Sequence, residues 1–152
     1  MSIKRANLSD METIYEITQT TITDIYPHYY PKGAVEFFLE HHNKSNIERD
    51  IQSGIVFLCF DCADNAVGTI TLRDNEICRL FVLPEHQKKG FGQELLDFAE
   101  TTIFKAYNEI ILDASLPAKI IYRKRGYCET ESNIIRTECG DCLCYDVMRK
   151  QK

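Results

Sequence analysis

No stretch of this chain approaches the ~18 consecutive apolar residues that a membrane-spanning helix needs. Met1-Ser2-Ile3-Lys4-Arg5 opens no apolar signal region. Both absences lead to the expectation of a soluble, cytoplasmic protein with no membrane partner. Positive charge is also in short supply, with a formal net charge of −5. That argues against nucleic acid as a partner, because such binders carry a basic face for phosphates. The clearest basic runs, Lys88-Lys89 and Arg123-Lys124-Arg125, are short, and charge alone reads them as solvated helix ends. Internal repeats, low-complexity tracts, linkers and disordered composition are missing as well. Cysteine, by contrast, is plentiful: seven residues, an odd number. Without an export signal these read as reduced thiols, not as a disulfide framework.

A length of 152 residues with 44% hydrophobic content suits one domain over 1–152, since single cores usually occupy ~100–200 residues. Ile3 to Ala6 reads as a short strand. Ser9-Asp10-Met11-Glu12 reads as a capping box for a helix to about residue 20, carrying Met11, Ile14, Tyr15 and Thr18 at helical spacing. Prolines 27 and 31 interrupt regular structure. Helices over 34–42 and 45–53 follow, the second stopped by Gly54. Then the period changes. Runs 55–60, 67–72 and 77–82 read as an antiparallel meander with turns at 61–65 and 73–75. Gly92, Leu95, Leu96, Ala99, Ile103 and Ala106 form an apolar stripe that predicts a helix over 91–106. A buried strand at 109–114, a helix at 117–125, a strand from Tyr127, a turn at 138–141 and a last strand at 143–148 complete the reading.

The chemistry is concentrated in Arg79-Leu80-Phe81-Val82-Leu83-Pro84-Glu85-His86-Gln87-Lys88-Lys89-Gly90-Phe91-Gly92-Gln93-Glu94-Leu95-Leu96. A buried strand passes through a loop with two glycines into a helix. Glycines let backbone N–H groups converge on an anion. The helix start adds free donors and roughly half a positive charge. Together with Lys88 and Lys89 they suit a pyrophosphate. A P-loop is absent, and a dinucleotide fingerprint would need glycine or alanine where Leu95 stands.

Gln87-Lys88-Lys89-Gly90-Phe91-Gly92 resembles the Q/R-x-x-G-x-G/A signature of the GNAT (N-acetyltransferase) superfamily. Ala118 with Tyr122-Arg123-Lys124-Arg125-Gly126-Tyr127 is similar to a second element of that family, and Ile3-Lys4-Arg5-Ala6 with Asp10 resembles its opening. The resemblance covers essentially the whole chain. It implies an α/β fold of the α+β kind: a mixed, mostly antiparallel central sheet of about seven strands, flanked by helices, with strands 4 and 5 splayed apart. It also implies acetyl-CoA as acetyl donor and an amine of a small molecule, peptide or protein as acceptor, transferred to directly without an acyl-enzyme. Homodimers are common in the family.

Carried over residue by residue, the resemblance places Gln87, Lys88, Lys89, Gly90, Phe91, Gly92 and Gln93 around the pyrophosphate. Leu80, Phe81 and Val82 lie along the pantetheine arm and thioester, with a backbone N–H near Phe81 or Val82 meeting the carbonyl oxygen where strand 4 bulges. Tyr122 matches the tyrosine near the sulfur that acts as general acid, and Glu76 stands where family members with a glutamate base often carry it. Both also read as ordinary residues, a packed aromatic and an exposed carboxylate. Two departures stand out. Ile121 replaces the usual phenylalanine, and the asparagine that often contacts pantetheine has no clear equivalent. Ser115 is the nearest polar residue, although an N-cap role suits it too.

Residues 20–46 are expected to form the acceptor wall, with Tyr26, Tyr29 and Tyr30 either lining a pocket or covering the sheet as an aromatic cluster. Cys139-x-x-Cys142-x-Cys144 and Cys59-x-x-Cys62 allow a zinc reading, but a turn at Gly140-Asp141 and plain thiols explain them more simply. His28, His41, His42 and His86 show no ligand spacing and are expected mostly on the surface. The alternative to an enzyme is a non-catalytic acyl-CoA-binding or regulatory module.

Overall fold

Seven strands form one sheet in the order β1-β2-β3-β4-β5-β7-β6 in the computed structural model, which describes residues 1–152. The strands are β1 (Ser2–Arg5), β2 (Val56–Phe60), β3 (Ala66–Arg73), β4 (Glu76–Val82), β5 (Glu109–Ala114), β6 (Cys128–Arg136) and β7 (Cys142–Gln151). Only the β4–β5 pair is parallel. The crossover between them is α4 (Phe91–Ile103), and α5 (Leu116–Lys124) follows β5. These two helices cover one face of the sheet. The other face is covered by α1 (Met11–Ile25), α2 (Lys32–His41) and α3 (Lys44–Gln52). No helix is long and apolar enough to cross a membrane.

Helix α4 docks because its inward stripe is continuous: Leu95, Leu96, Ala99 and Ile103 are all at most 2% exposed. Each large side chain removed from water there stabilises the fold by roughly 1.5–3 kcal/mol. Phe91 heads the stripe in place of Gly92. Ala106 lies beyond the helix, where amides 105–107 bond back to Thr102 and Ile103 in a closing turn.

At the other end of the chain α1 runs past residue 20 to Ile25. Thr21 and Ile22 extend its buried face, and that packing outweighs their β-branched preference. The capping box forms not on α1 but on the 3₁₀ turn Leu8–Asp10 just before it, and it is Asn7 with Asp10, not Ser9 with Glu12. Asn7 Oδ1 accepts from Ser9 N, and Asp10 Oδ2 accepts from Asn7 N at 2.8 Å. Glu12 is taken instead by Lys44 of α3.

The feature that shapes the site is the parting of β4 from β5. Only Glu76↔Ile111 and Ile77↔Leu112 are paired. Immediately afterwards the β3–β4 register slips by one residue: Leu72 faces Ile77 while Thr71 faces Arg79, leaving Cys78 as the extra residue. Such a bulge bends its strand and increases its twist, and β4 turns away. Asp113 and Ala114 continue in the ladder with β7 alone. The expected splay is therefore present, but the bulge lies at Cys78, nearer the start of β4 than Phe81 or Val82.

Candidate active site

A cleft of about 1450 Å³ runs through the splay, from the loop before α4 to the side of α3. Its first wall is that loop. The amides of residues 88–93 donate to no protein carbonyl, and the first amide of α4 to find one is Glu94 N, which reaches Gly90 O at 3.0 Å. Six consecutive free donors at a helix N-terminus make an anion-binding concavity. Lys88 (φ 60°) and Gly90 (φ 95°) are left-handed, which curls the backbone so that these amides converge. No protein atom lies within 4 Å of where a Gly90 Cβ would stand; the conformation, not crowding within the chain, asks for glycine there.

Gln87 lines the cleft at this loop. Its side-chain Nε2 donates to Val82 O at 3.0 Å and its amide donates to Pro84 O. It ties the loop to the end of β4. Phe91 is buried beneath the loop, edge-on to His86. Lys88, Lys89 and Gln93 are exposed around it.

Along β4 the backbone alternates. Leu83 N donates to Val67 O, on the β3 side, so Phe81 N–H also turns to β3, while Leu80 and Val82 turn toward the gap. Val82 O is already engaged by Gln87 and by the Thr21 hydroxyl, which leaves its N–H as the free group. Of the two donors expected for a carbonyl oxygen, the geometry therefore favours Val82 over Phe81. Phe81 is instead buried against Tyr26 and His42.

Tyr122, on α5, lines the same cleft. It is 8% exposed, packs edge-on to Tyr127 at 5.6 Å, and its hydroxyl bonds to no protein group. Burial, reinforced by the nearby Tyr26, pushes its phenol well above the ordinary value. It stays protonated at any working pH. Glu76, at the first position of β4, is half-buried in the cleft and outside any ion pair. Cys78 also faces the cleft, but burial and the Glu76 carboxylate push its thiol up to about 11. A thiol so protonated is a poor nucleophile.

Ser115 takes the N-cap backbone position of α5, yet its hydroxyl caps nothing. It hydrogen-bonds the Tyr26 hydroxyl at 3.2 Å. The free α5 amide, Leu116 N, donates to the Tyr30 hydroxyl at 2.8 Å, and that hydroxyl donates to Cys144 O on β7. Burial pushes the Tyr30 phenol up to about 12. The three tyrosines thus divide their roles. Tyr30 is a structural tie, Tyr26 lines the cleft while bonding Ser115, and Tyr29 lines it half-exposed.

Sequence reading missed the polar end of the cleft. His42, expected on the surface, is 7% exposed and hydrogen-bonded to Arg79, which in turn holds Asp50 and Thr71. Asp113 stands on β5 just past its last pair with β4 and opens on the cleft. Nothing in the spacing of His42 and Asp50 signals their meeting with Arg79, because α2, α3 and β4 are brought together only by the tertiary fold. The cysteines do not converge: Cys59 is buried, Cys62, Cys128, Cys139 and Cys142 are exposed, and no three metal-ligating side chains gather.

A parted parallel strand pair, an amide-lined loop and an unpartnered phenol thus meet in one cleft. Comparison with known proteins gives the family. The acetyltransferase (GNAT) domain model matches residues 25–140, and the chain belongs to the GNAT acetyltransferase family. Among curated proteins none matches the sequence. Solved structures share the fold at low identity. A GCN5-related N-acetyltransferase from Rhodopseudomonas palustris superposes with a TM-score of 0.90 at 19% identity, covering 99% of this chain and 95% of that one. The PaiA N-acetyltransferase of Thermoplasma acidophilum, solved with coenzyme A, gives 0.75 at 23%, covering 99% and 98%. YncA of Salmonella typhimurium, a putative acetyltransferase solved with acetyl-CoA, gives 0.74 at 16%, covering 99% and 93%.

Proposed function

We propose that this protein is an N-acetyltransferase that moves the acetyl group of acetyl-CoA directly to a primary amine. The observation that carries the reading is the coincidence, in one cleft, of the free amides 88–93 and the unpartnered Tyr122 hydroxyl on either side of the β4–β5 gap. The pyrophosphate would accept from those amides with Lys88 and Lys89 beside it. Gln87 acts through the loop it holds. The pantetheine arm would run through the gap past Leu80 and Val82, toward Ser115. The Val82 N–H would receive the thioester oxygen as it gains charge in the transition state.

Chemically, the amine nitrogen attacks the thioester carbon, a C–N bond forms and the C–S bond breaks. The ammonium acceptor first gives up a proton, since a primary amine of pKa ~10.4 is mostly charged at neutral pH. Glu76, directly or through water, is assigned that proton. The departing thiolate takes one from Tyr122, whose raised affinity for its proton keeps the donor loaded, and the second proton shed by the nitrogen as the amide forms returns, directly or through water, to the phenolate. Cys78 is not needed. Tyr26 and Tyr29 border the acceptor side. A non-catalytic module is the weaker reading, because the Tyr122 hydroxyl, bonded to no protein group, opens on the cleft beside the gap where a departing thiolate would need a proton.

The test is acetyl transfer from radiolabelled acetyl-CoA to a panel of polyamines, amino acids, aminoglycosides and peptides. A radiolabel is preferred to thiol release because seven cysteines raise the background. Acceptor-dependent transfer that Glu76→Gln slows supports the reading. Tight acetyl-CoA binding with no transfer to any amine points to the binding module, and no cofactor binding removes the proposal.

A further inference from the structure

The α3 end of the cleft holds a polar network for which the transfer chemistry above has no use. Arg79 is buried on β4 and fully oriented. Its Nε donates to His42 Nδ1 at 3.2 Å, one terminal nitrogen to Thr71 Oγ1 at 3.1 Å, and the other to Asp50 Oδ2 at 3.1 Å. Asp50 also accepts from Arg73 Nη2 at 3.0 Å. One carboxylate shared by two guanidinium groups leaves one positive charge over. Arg49, which lines the same end of the cleft, bonds the neutral side chain of Asn46 and adds another.

His42 can be assigned a role by proton bookkeeping. Because Nδ1 accepts from Arg79, the proton of the neutral ring must sit on Nε2. Burial, then Arg79, hold the imidazole far below its ordinary range, to about 2, so it never becomes a base or a cation at working pH. The ring is more than nine-tenths buried, while Nε2 bonds no protein atom and is not among the enclosed unpaired atoms. Its N–H therefore opens on the cleft as a fixed donor. Arg73, half-exposed in the same cleft and linked to Arg79 through Asp50, has the rest of its fork free.

A neutral hydrogen-bond donor next to surplus guanidinium charge fits an anionic group with several lone pairs, and its planar fork suits a carboxylate. The same cleft holds the opposite charge close by. Glu76 is the cross-strand neighbour of Arg73 in the β3–β4 ladder, Asp113 also lines the cleft, and neither carboxylate is within ion-pair distance of a basic group. A ligand meeting both signs of charge carries an ammonium and a carboxylate a few atoms apart. We propose that the acceptor is an amine bearing a carboxylate, of the amino-acid type, and that His42 Nε2 and Arg73, oriented by Arg79 and Asp50, receive the carboxylate. This rests on the N-acetyltransferase reading and narrows it to one acceptor class.

The experiment pairs acceptors that differ only in that group: an amino acid, its amide and its decarboxylated amine, each with radiolabelled acetyl-CoA and the whole protein. The amino acid is expected to give kcat/KM about tenfold or more above the other two, the discrimination of one charge-assisted contact. Arg73→Gln and His42→Leu should bring that ratio toward one, chiefly through KM for the amino acid. His42→Gln, which keeps a side-chain N–H, should recover part of it. A merely structural role would lower all three acceptors together. Equal or faster turnover of the decarboxylated amine overturns this inference and leaves the N-acetyltransferase reading in place. An unchanged ratio in both Arg73→Gln and His42→Leu overturns it as well. Acetyl-CoA binding with no transfer to any of the three overturns this inference alone if another amine of the panel is acetylated, and both readings if none is.

Discussion

Replacing Tyr122 with phenylalanine separates chemistry from packing, because the hydroxyl it removes has no partner within the protein. The ring sits 8% exposed against Tyr127, and phenylalanine keeps that contact. No protein hydrogen bond is lost, and a desolvated polar group is relieved. Unfolding stability should therefore be unchanged or higher by up to about 1 kcal/mol. If the hydroxyl protonates the departing thiolate, kcat should fall by about 100-fold or more, the usual worth of a positioned proton donor. Acetyl-CoA affinity should stay within about threefold, since the proposed pyrophosphate contacts lie on the loop before α4, away from α5. The assay is steady-state transfer with labelled acetyl-CoA, alongside equilibrium binding of the cofactor and a chemical denaturation curve. A kcat within about threefold of wild type, at unchanged stability, refutes the assignment. A fall in kcat with an equal loss of stability refutes the packing argument instead.

Gly90→Ala forces a side chain into a left-handed conformation at φ 95°, which costs roughly 1–2 kcal/mol. The expected result is a melting temperature lower by a few degrees and acetyl-CoA binding weakened about tenfold as the free amides lose their alignment, read by calorimetry. Gly33→Ala would bring a Cβ to 2.8 Å from both Asp141 Oδ2 and Thr137 Oγ1. Overpacking should cost about 1–3 kcal/mol in denaturant while cofactor affinity is unaffected. On the acid side, His42 has its folded pKa lowered to about 2. Below the ordinary value of about 6.5 the unfolded chain binds a proton that the folded one refuses, so stability falls as pH drops, by about 2 kcal/mol from pH 7 to pH 5. His42→Gln should flatten that slope. On the alkaline side, burial raises Tyr26, Tyr30, Tyr122 and Tyr127. The unfolded chain then loses protons first above about pH 10, and stability should decline with rising pH there, faster than in Tyr127→Phe.

The strand and helix succession was legible because each segment repeats one period long enough to read: β5 at 109–114 is the clearest case, and α4 starts at Phe91 as its apolar stripe requires. The loop between β4 and α4 was legible from two glycines and a change of period. What escaped is tertiary in origin. Asn7 was not seen as the cap because a short 3₁₀ turn precedes α1. The bulge at Cys78 carries no glycine to announce it. His42 and Asp50 lie 37 and 29 residues from Arg79 in sequence, and no local pattern links such positions. That Gln87 ties its loop to the last carbonyl of β4 was not legible either, since the bond spans a turn whose shape the sequence does not print.

Two phenols from the turn between α1 and α2 reach the helix that carries Tyr122 and the strand beside it: Tyr26 at Ser115, and Tyr30 at Leu116 and Cys144. Helices α2 and α3 are therefore suspended from the start of α5 as well as resting on the sheet. On the proposed function, substrate preference could drift through α2 and α3 at little cost as long as those two hydroxyls remain. Lose either, and the helix holding Tyr122 loses a fixed point that lies outside its own sequence.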